Sequence, residues 1–318
     1  MLIETQGTGE MTGITAGTVR KLRERTGAGV MDCKKALGES RGDMEAAVDR
    51  LRARGLAAAG SRAGKIAAEG LVAAAVDGNR GAIVEVNSET DFVARNERFQ
   101  EFVRTVTGLA LAGSDTVERL LEAQLPEGGT VGEKLTDNIA VLRENLSLRR
   151  SAVLQVADGV VVSYVHNEVA PGLGRIGVLV ALESDGEKEA LTALGRQIAI
   201  HIAAAGPLAL RGEDLDPALI ERERAIASER AAGSGKPTGI AARMVDGALT
   251  RFRNENALMS QLFVMDNTSR VEDVIAAEAK RTGSAISLNA YVRFQLGEGI
   301  EKKDSGFADE VAVASGVR

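Results

Sequence analysis

The order of apolar and polar residues changes character along the chain, and its first section has helical spacing. Three short apolar stripes follow one another there: Val19 with Leu22, Cys33 with Ala36 and Leu37, and Ala47 with Val48 and Leu51. Thr15, Asp32 and Asp43 precede the stripes as candidate N-cap residues, whose side-chain oxygens accept hydrogen bonds from the first free amides of a helix. We therefore predict a three-helix N-terminal domain over residues 14–54 and an Ala- and Gly-rich linker with some helical tendency over 55–70.

From residue 71 the pattern alternates between short β-branched runs and helices. The predicted strands are Leu71–Val76, Ala82–Val86, Val153–Val156, Val160–Val165, Arg175–Leu182 and Tyr291–Leu296, and the predicted helices are an amphipathic one carrying Phe99, Phe102, Val103 and Val106, then 115–124, 130–145, Glu187–Ala205 and 271–281. Asp77-Gly78-Asn79-Arg80 and Ala157-Asp158-Gly159 each separate two runs and predict two β-hairpins. Because strands and helix recur in the same order, we predict an α+β fold with antiparallel sheets and two duplicated subdomains, 71–150 and 151–206 with 253–296.

Residues 207–252 interrupt the second subdomain with a charged pattern typical of an antiparallel helical hairpin. Asp216-Pro217 supplies an N-cap and a first-turn proline, and the segment 233–237, GSGKP, separates the two helices. The polar face at 221–224 predicts that the hairpin projects from the body or packs against another chain. Residues 1–13 show neither helical nor strand spacing of apolar residues, and we expect a disordered extension there.

Composition narrows the class of protein. The 318 residues are 44% hydrophobic and 26% charged, which is typical of a globular chain of two or three domains. The single cysteine, Cys33, predicts no intramolecular disulfide and favours the reducing cytoplasm. Neither a basic, apolar leader nor a run of about 18 apolar residues is present, so we expect neither secretion nor membrane insertion.

The charge is unevenly distributed along the chain. Residues 14–65 hold twelve Lys and Arg against six Asp and Glu, and the net charge of the whole chain is −6. Either a basic N-terminal module that contacts an acidic partner surface or a set of solvated helical faces accounts for this excess. The acidic remainder argues against a general nucleic-acid binder.

Motifs that would carry enzyme chemistry are weak. The run 172–177 matches G-x-G-x-x-G, but an apolar strand follows it where a dinucleotide site needs a helix N-terminus, so we predict a glycine-rich turn. Gly64-Lys65 resembles the end of a phosphate-binding loop, but the first glycine and the final Ser or Thr of that motif are missing. His201 lies in a predicted helix and fits a core histidine, and Cys33 fits a packed residue better than a reactive thiol. We expect no cofactor and no metal.

Two longer segments resemble the signatures of the elongation factor Ts family. They are Val19–Leu37, VRKLRERTGAGVMDCKKAL, and Glu85–Ala94, EVNSETDFVA, and weaker similarity lies at Arg175–Val180, Ser234–Pro237, Phe263–Met265 and Gly297–Lys302. The resemblance implies a translation factor that binds elongation factor Tu carrying GDP and promotes GDP release without covalent chemistry. It also implies a ubiquitin-associated-like N-terminal domain, a hairpin used for homodimerisation in some members, and a C-terminal module over 297–318.

The resemblance also implies which residues contact the partner. In the family, Asp and Phe of a T-D-F-V motif reach the nucleotide domain of elongation factor Tu, with the phenylalanine beside its magnesium and phosphate site. These positions are Asp91 and Phe92 here, and Thr90 and Val93 shape the same loop. Further partner contacts are implied for His166, Asn138, Ile139, Val30 and Met31.

Alternatives follow from the residues alone. Phe92 could pack near Phe99 as an ordinary helix residue, and Asp91 could cap that helix. Ser88-Glu89 stands where Cys-Gln is frequent in the family, and Asn167–Gly174 lengthens the loop after His166. The competing function classes are an RNA- or ribosome-binding adaptor, which lacks RNA-binding aromatic motifs, and an enzyme, which lacks a nameable nucleophile and base.

Overall fold

The computed structural model describes residues 14–301 and begins with a helical bundle. Its helices are α1 (Ala16–Thr26), α2 (Val30–Glu39) and α3 (Met44–Arg62). Thr15 and Asp43 cap α1 and α3 as predicted, because each side chain accepts a hydrogen bond from a first-turn amide. The prediction that Asp32 caps α2 is wrong: Gly29 precedes the helix, and Asp32 lies inside its first turn, where a carboxylate also suits the helix dipole. The predicted extension over 1–13 lies outside the described residues.

Helix α3 runs to Arg62, so residues 55–62 of the predicted linker are helical, which agrees with the helical tendency expected there and makes the linker shorter than predicted. The sequence there is rich in alanine, which favours helix. Gly55 is buried, and a Cβ added to it would lie 3.3 Å from the Cβ of Ala140. This tertiary contact stabilises a helical continuation that composition alone leaves undecided.

Within residues 14–301, seven strands form two antiparallel sheets. They are β1 (Glu69–Asp77), β2 (Arg80–Ser88), β3 (Leu146–Gln155), β4 (Gly159–His166), β5 (Leu173–Gly174), β6 (Ile176–Glu183) and β7 (Ser287–Gln295). The first sheet has the order β3-β2-β1-β5, and the second has the order β4-β6-β7. The predicted β1–β2 hairpin is confirmed, with Asp77 opposite Arg80 at its turn.

The predicted hairpin across Ala157-Asp158-Gly159 is wrong. Strand β3 pairs with β2, whereas β4 pairs with β6, so the chain crosses from one sheet to the other at these residues. Hydrogen bonds from Val156 N to Asn79 O and from Val161 N to Gly78 O, both 3.0 Å, hold the crossing against the β1–β2 turn. A turn signal between two β-branched runs shows that the chain bends, but it does not identify the partner of either strand.

The two sheets pack face to face across an apolar layer that includes small residues. A Cβ added to Gly81 would lie 2.6 Å from Val161 Cγ1, and one added to Gly177 would lie 2.6 Å from Val72 Cγ1. These separations are shorter than any normal carbon–carbon contact. Glycine at both positions therefore permits the close approach of the sheets.

Both sheets repeat one connectivity, which confirms the predicted repetition of element order. In each unit the second strand is central, helices follow it, and the last strand returns to pair with it. Gly81 and Gly177 occupy the second position of these central strands. The pairing register then shifts at equivalent places, after Glu85 in one unit and after Ala181 in the other. The two units thus share one arrangement of strands and helices.

Helices cover the outer faces of the sheets close to the predicted positions. Helices α4 (Glu97–Ala112), α5 (Val117–Glu122) and α6 (Val131–Leu142) pack on the first sheet, and α7 (Lys188–Ala205) and α10 (Val271–Thr282) pack on the second. The apolar stripe of α4 enters the first core as predicted. This packing fixes the ends of β2, α4 and α6 relative to one another.

The inserted helical hairpin is confirmed as α8 (Pro217–Gly233) and α9 (Thr238–Asn256). Asp216 caps α8 by accepting a hydrogen bond from Ala218 N at 2.8 Å. Glu221, Arg222 and Arg224 are exposed, as their polarity predicted. Among the described helices, none combines the length and apolar character needed to cross a bilayer. Of the predicted C-terminal module, residues 302–318 lie outside the described part of the chain.

Candidate functional site

The connection between β2 and α4 presents an exposed aromatic side chain. Phe92 is 78% exposed, whereas Phe99 is fully buried. The interpretation of Phe92 as a residue packed near Phe99 is therefore wrong. The interpretation of Asp91 as the cap of α4 is also wrong, because Asn96 accepts the capping hydrogen bond, from Phe99 N at 3.2 Å. We call Thr90–Phe92 the tip.

Hydrogen bonds between residues close in sequence hold the tip on both sides. Before it, Ser88 Oγ donates to Thr90 O at 2.8 Å. After it, Ala94 N donates to Asp91 O at 3.2 Å within a single 3₁₀ turn over Val93–Arg95. Val93 is buried in the first core and ties that turn to the sheet. Phe92 is thus presented from a defined backbone conformation, and Val93 anchors the following turn in the core.

The turn after α6 binds the base of the tip. Glu144 accepts hydrogen bonds from Thr90 N at 2.9 Å and from Thr90 Oγ1 at 2.5 Å. The next residue, Asn145, donates its amide to Glu89 Oε1 at 2.6 Å. We call Arg143–Asn145 the α6 turn. It lies far from the tip in sequence, yet it contacts both residues that precede Asp91.

Glu89 connects the tip to the N-terminal bundle. Its carboxylate forms ion pairs with Arg62, at the end of α3, at 3.1 Å and with Lys65 at 3.2 Å. Burial alone would raise the pKa of Glu89, but hydrogen bonds from Asn145, Lys65 and Arg62 outweigh it and lower the pKa. Glu89 is therefore ionised at neutral pH, and the residue that departs from the family pattern forms the link between domains.

The α6 turn also contacts the predicted second contact region. Val30 and Met31 are 50% and 73% exposed in the first turn of α2. The following residue, Asp32, pairs with Arg143 at 3.3 Å. Adjacent residues, Arg143 and Glu144, thus contact α2 and the tip, respectively. The structure brings these two sets of predicted residues together.

Asn138 and Ile139 are not at the surface. Asn138 is fully buried and Ile139 is 7% exposed, so their predicted direct contact with a partner is not available in this conformation. Asn138 Oδ1 instead accepts a hydrogen bond from Arg98 Nε at 2.7 Å. The guanidinium of Arg98 lies against Gly27, which follows α1. Asn138 therefore acts through Arg98 on the position of the N-terminal bundle.

His166 is exposed at the end of β4. Its Nδ1 lies 3.0 Å from the Tyr164 hydroxyl. Arg175 N donates to His166 O at 3.2 Å, and the Arg175 side chain pairs with Glu69 at 3.1 Å. Because Glu69 is opposite Ser88 in the β1–β2 register, His166 lies at the same end of the stacked sheets as the tip.

The remaining candidates for chemistry have structural roles. His201 Nδ1 accepts from Val264 N at 3.2 Å, so Nε2 carries the proton and donates to Gln261 Oε1 at 2.9 Å. Burial lowers the pKa of His201, which keeps the ring neutral. Cys33 is fully buried, and burial raises the pKa of its thiol. Both observations confirm the predicted packing roles. Within residues 14–301, no group of three or more His, Cys, Asp or Glu side chains is arranged to hold a metal ion.

Comparison with known proteins identifies the family. The family model described as Elongation factor TS matches residues 89–298, a range that begins at the base of the tip. The chain belongs to the elongation factor Ts family. It is 62% identical to Elongation factor Ts of Sphingopyxis alaskensis over 308 residues and 60% identical to that of Zymomonas mobilis over 307, in each case 96% of this chain and 100% of the relative. The Rhizobium meliloti relative is 52% identical over 303 residues, 95% of this chain and 99% of its own length.

Family membership confirms the resemblance. Several residues that support the site were not predicted from the sequence. Arg98, Glu89 and the α6 turn form the bonds that hold the tip and the bundle, and none was predicted to have a role, although Glu89 lies within the segment Glu85–Ala94. Their partners lie tens of residues away along the chain. Arg143 ends α6 in the left-handed region, with φ of 59°. Glycine or asparagine usually occupies such a position, so the sequence does not indicate this helix end.

Proposed function

We propose that this chain is a guanine nucleotide exchange factor for elongation factor Tu. It binds the GDP-bound partner and promotes GDP release, so that GTP can bind. The observation that carries the proposal is Phe92, a 78% exposed aromatic side chain on a turn fixed by hydrogen bonds. A large apolar side chain held away from its own core suits insertion into a pocket of another protein. Membership in the elongation factor Ts family supports the choice of partner, and we place the activity in the cytoplasm.

The proposed mechanism is linkage between ligands of elongation factor Tu. This chain binds a conformation of the partner that holds GDP and magnesium poorly, and each ligand therefore weakens binding of the other by the same factor. Phe92 and Asp91 disturb the magnesium and phosphate site. The mechanism requires no covalent step and no cofactor on this chain.

The other exposed residues are proposed to anchor the partner. Val30 and Met31 offer apolar surface on the basic bundle, where net positive charge speeds encounter with an acidic protein. His166 adds a polar contact at the same end of the sheets. Asn138 and Ile139 support this arrangement from within the fold. The long distance along the sequence between anchor and tip is bridged by the α6 turn.

The experiment is stopped-flow release of fluorescent GDP from elongation factor Tu at saturating concentrations of this chain. Phe92→Ala should slow release about tenfold, which corresponds to about 1.4 kcal/mol of lost stabilisation. Its folding stability should change by less than about 0.5 kcal/mol, because the side chain is mostly exposed. Val76→Ala is the matched control, since Val76 is 41% exposed at the opposite end of β1.

Three results would each contradict a part of the proposal. Wild-type chain that leaves the spontaneous rate of GDP release unchanged would exclude exchange activity. An affinity for elongation factor Tu that is unaffected by saturating GDP and magnesium would exclude linkage, since reciprocity requires both ligands to feel the coupling. Equal rates for Phe92→Ala and Val76→Ala would show that the tip is not the element responsible.

A further inference from the structure

The Thr90–Glu144 contact is unusual for a loop because one carboxylate satisfies two donors of one residue. Thr90 lies beyond the end of β2 at Ser88, so its amide has no strand partner. Glu144 accepts from that amide at 2.9 Å through one oxygen and from the hydroxyl at 2.5 Å through the other. Two bonds to one residue fix orientation as well as position. The contact is made two residues before Phe92.

The residues on both sides of Glu144 are themselves fixed by hydrogen bonds. Arg143 ends α6 in the left-handed region, and its amide donates to Ile139 O at 2.9 Å. Asn145 donates its amide to Glu89 Oε1 at 2.6 Å and its side chain to Lys65 O at 2.8 Å. Glu144 as a whole is half-buried.

We infer that Glu144 is a positioning residue for nucleotide exchange: it directs the tip so that Phe92 enters the partner without first being ordered. The inference rests on the proposed function and adds a residue to it. A tip without this support samples several conformations, and ordering it during binding consumes interaction energy that would otherwise act on the nucleotide site. Glu144 touches neither partner nor nucleotide in this role.

Removal of the contact should affect the exchange step more than complex formation. Glu144→Ala should lower the maximal rate of GDP release about tenfold, as expected when a reacting group is misplaced by about 1 Å or less. Its affinity for nucleotide-free elongation factor Tu should change less than about threefold, because the Val30–Met31 surface is intact. Glu118→Gln, which alters an exposed carboxylate on α5, serves as the control.

Thr90 provides a second test that leaves Glu144 in place. Thr90→Val removes the hydroxyl while preserving shape, and it should slow release in the same direction. Thr90→Ser restores the hydroxyl and should restore the rate. Rescue by serine separates a specific hydrogen bond from general loss of packing, and thermal unfolding of all variants provides the folding control. If Glu144→Ala does not fold, the Thr90 pair decides the question.

A double-mutant cycle with Phe92→Ala distinguishes the two proposals. If Glu144 acts through Phe92, Glu144→Ala should have less than about a twofold effect in the Phe92→Ala background. A full tenfold effect there, or no effect of Glu144→Ala in the wild-type background, would overturn the positioning role while leaving exchange by Phe92 intact. No effect of Phe92→Ala itself would instead overturn the proposed function.

Discussion

Replacement of Glu85 should cause a large loss of stability in the core. Glu85 lies on β2 beside the register shift and is completely buried. Its carboxylate accepts from Arg149 Nη1 at 3.0 Å, Arg150 Nε at 2.5 Å and Gly297 N at 2.9 Å. It thereby joins β2 to β3 and to the segment that follows β7. Asn87 Nδ2, which is also buried, donates to Glu85 Oε1 at 3.0 Å, so Glu85→Ala removes the common acceptor of four groups.

The expected magnitude follows from the exposure of the two arginines. Breaking a buried ion pair from one side costs about 3–5 kcal/mol. The side chains of Arg149 and Arg150 keep 27% and 28% of their accessible surface, so water partly solvates them after the change. We therefore expect the lower end, about 3 kcal/mol, for Glu85→Ala. Glu85→Gln keeps the volume and one acceptor oxygen, and should cost about 1–2 kcal/mol.

The stabilisation by Glu85 should depend on pH. Burial alone would raise the pKa of Glu85, but bonds from Gly297, Arg150 and Arg149 outweigh burial and lower the pKa. A lowered folded-state pKa means that the ionised carboxylate contributes its full stability above the unfolded value of about 4.3. That contribution is lost as pH falls through the folded-state pKa. The difference between wild type and Glu85→Gln should thus be constant near pH 7 and shrink in acid.

Urea unfolding followed by tyrosine fluorescence measures this effect in the core. The two tyrosines of the chain, Tyr164 and Tyr291, lie on β4 and β7, so the signal does not come from the N-terminal bundle. Glu118→Gln is the control for loss of an exposed carboxylate. A Glu85→Ala variant within about 0.5 kcal/mol of wild type, or a difference that grows in acid, would refute the reasoning.

Three further predictions test the sheets, the anchor and the hairpin. Gly177→Ala should destabilise the chain by about 1–3 kcal/mol in urea unfolding, because its Cβ would overlap Val72. Joint replacement of Val30 and Met31 by Ala should weaken binding to elongation factor Tu in titration calorimetry, with unfolding unchanged. Replacing residues 222–246 by a short turn should leave the tyrosine-monitored core transition unchanged, and any self-association seen in sedimentation should be lost.

Local signals predicted the elements well where neighbours along the chain decide the structure. The β1–β2 hairpin is one such case, because Asp77 and Arg80 flank a two-residue turn. The partner of β3 was not predictable in this way, since its pairing with β2 is decided by packing of the whole first unit. The continuation of α3 beyond residue 54 likewise depends on contact between Gly55 and Ala140.

The residues of the candidate site likewise separate into those that local sequence could predict and those that only the fold reveals. Resemblance to a family motif selected Asp91 and Phe92, and the exposure of Phe92 in the folded chain then excluded the packed alternative for that residue. Asn138 was expected to face the partner, but its side-chain oxygen accepts a hydrogen bond from Arg98 inside the fold. Glu144 gave no signal because an isolated glutamate after a helix is ordinary. Its role becomes visible only in the structure, where its carboxylate accepts hydrogen bonds from Thr90.

The two similar units differ in the connection that follows their central strands. The first unit passes from its central strand to α4 through residues 89–96, whereas the second passes from β6 to α7 through residues 184–187. The shorter connection closes on itself, with Gly186 N donating to Ser184 Oγ at 3.1 Å, and contains no aromatic residue. Lengthening a surface connection costs little stability. One unit therefore carries the protruding aromatic residue on its longer connection, while the equivalent connection of the other unit serves only the fold.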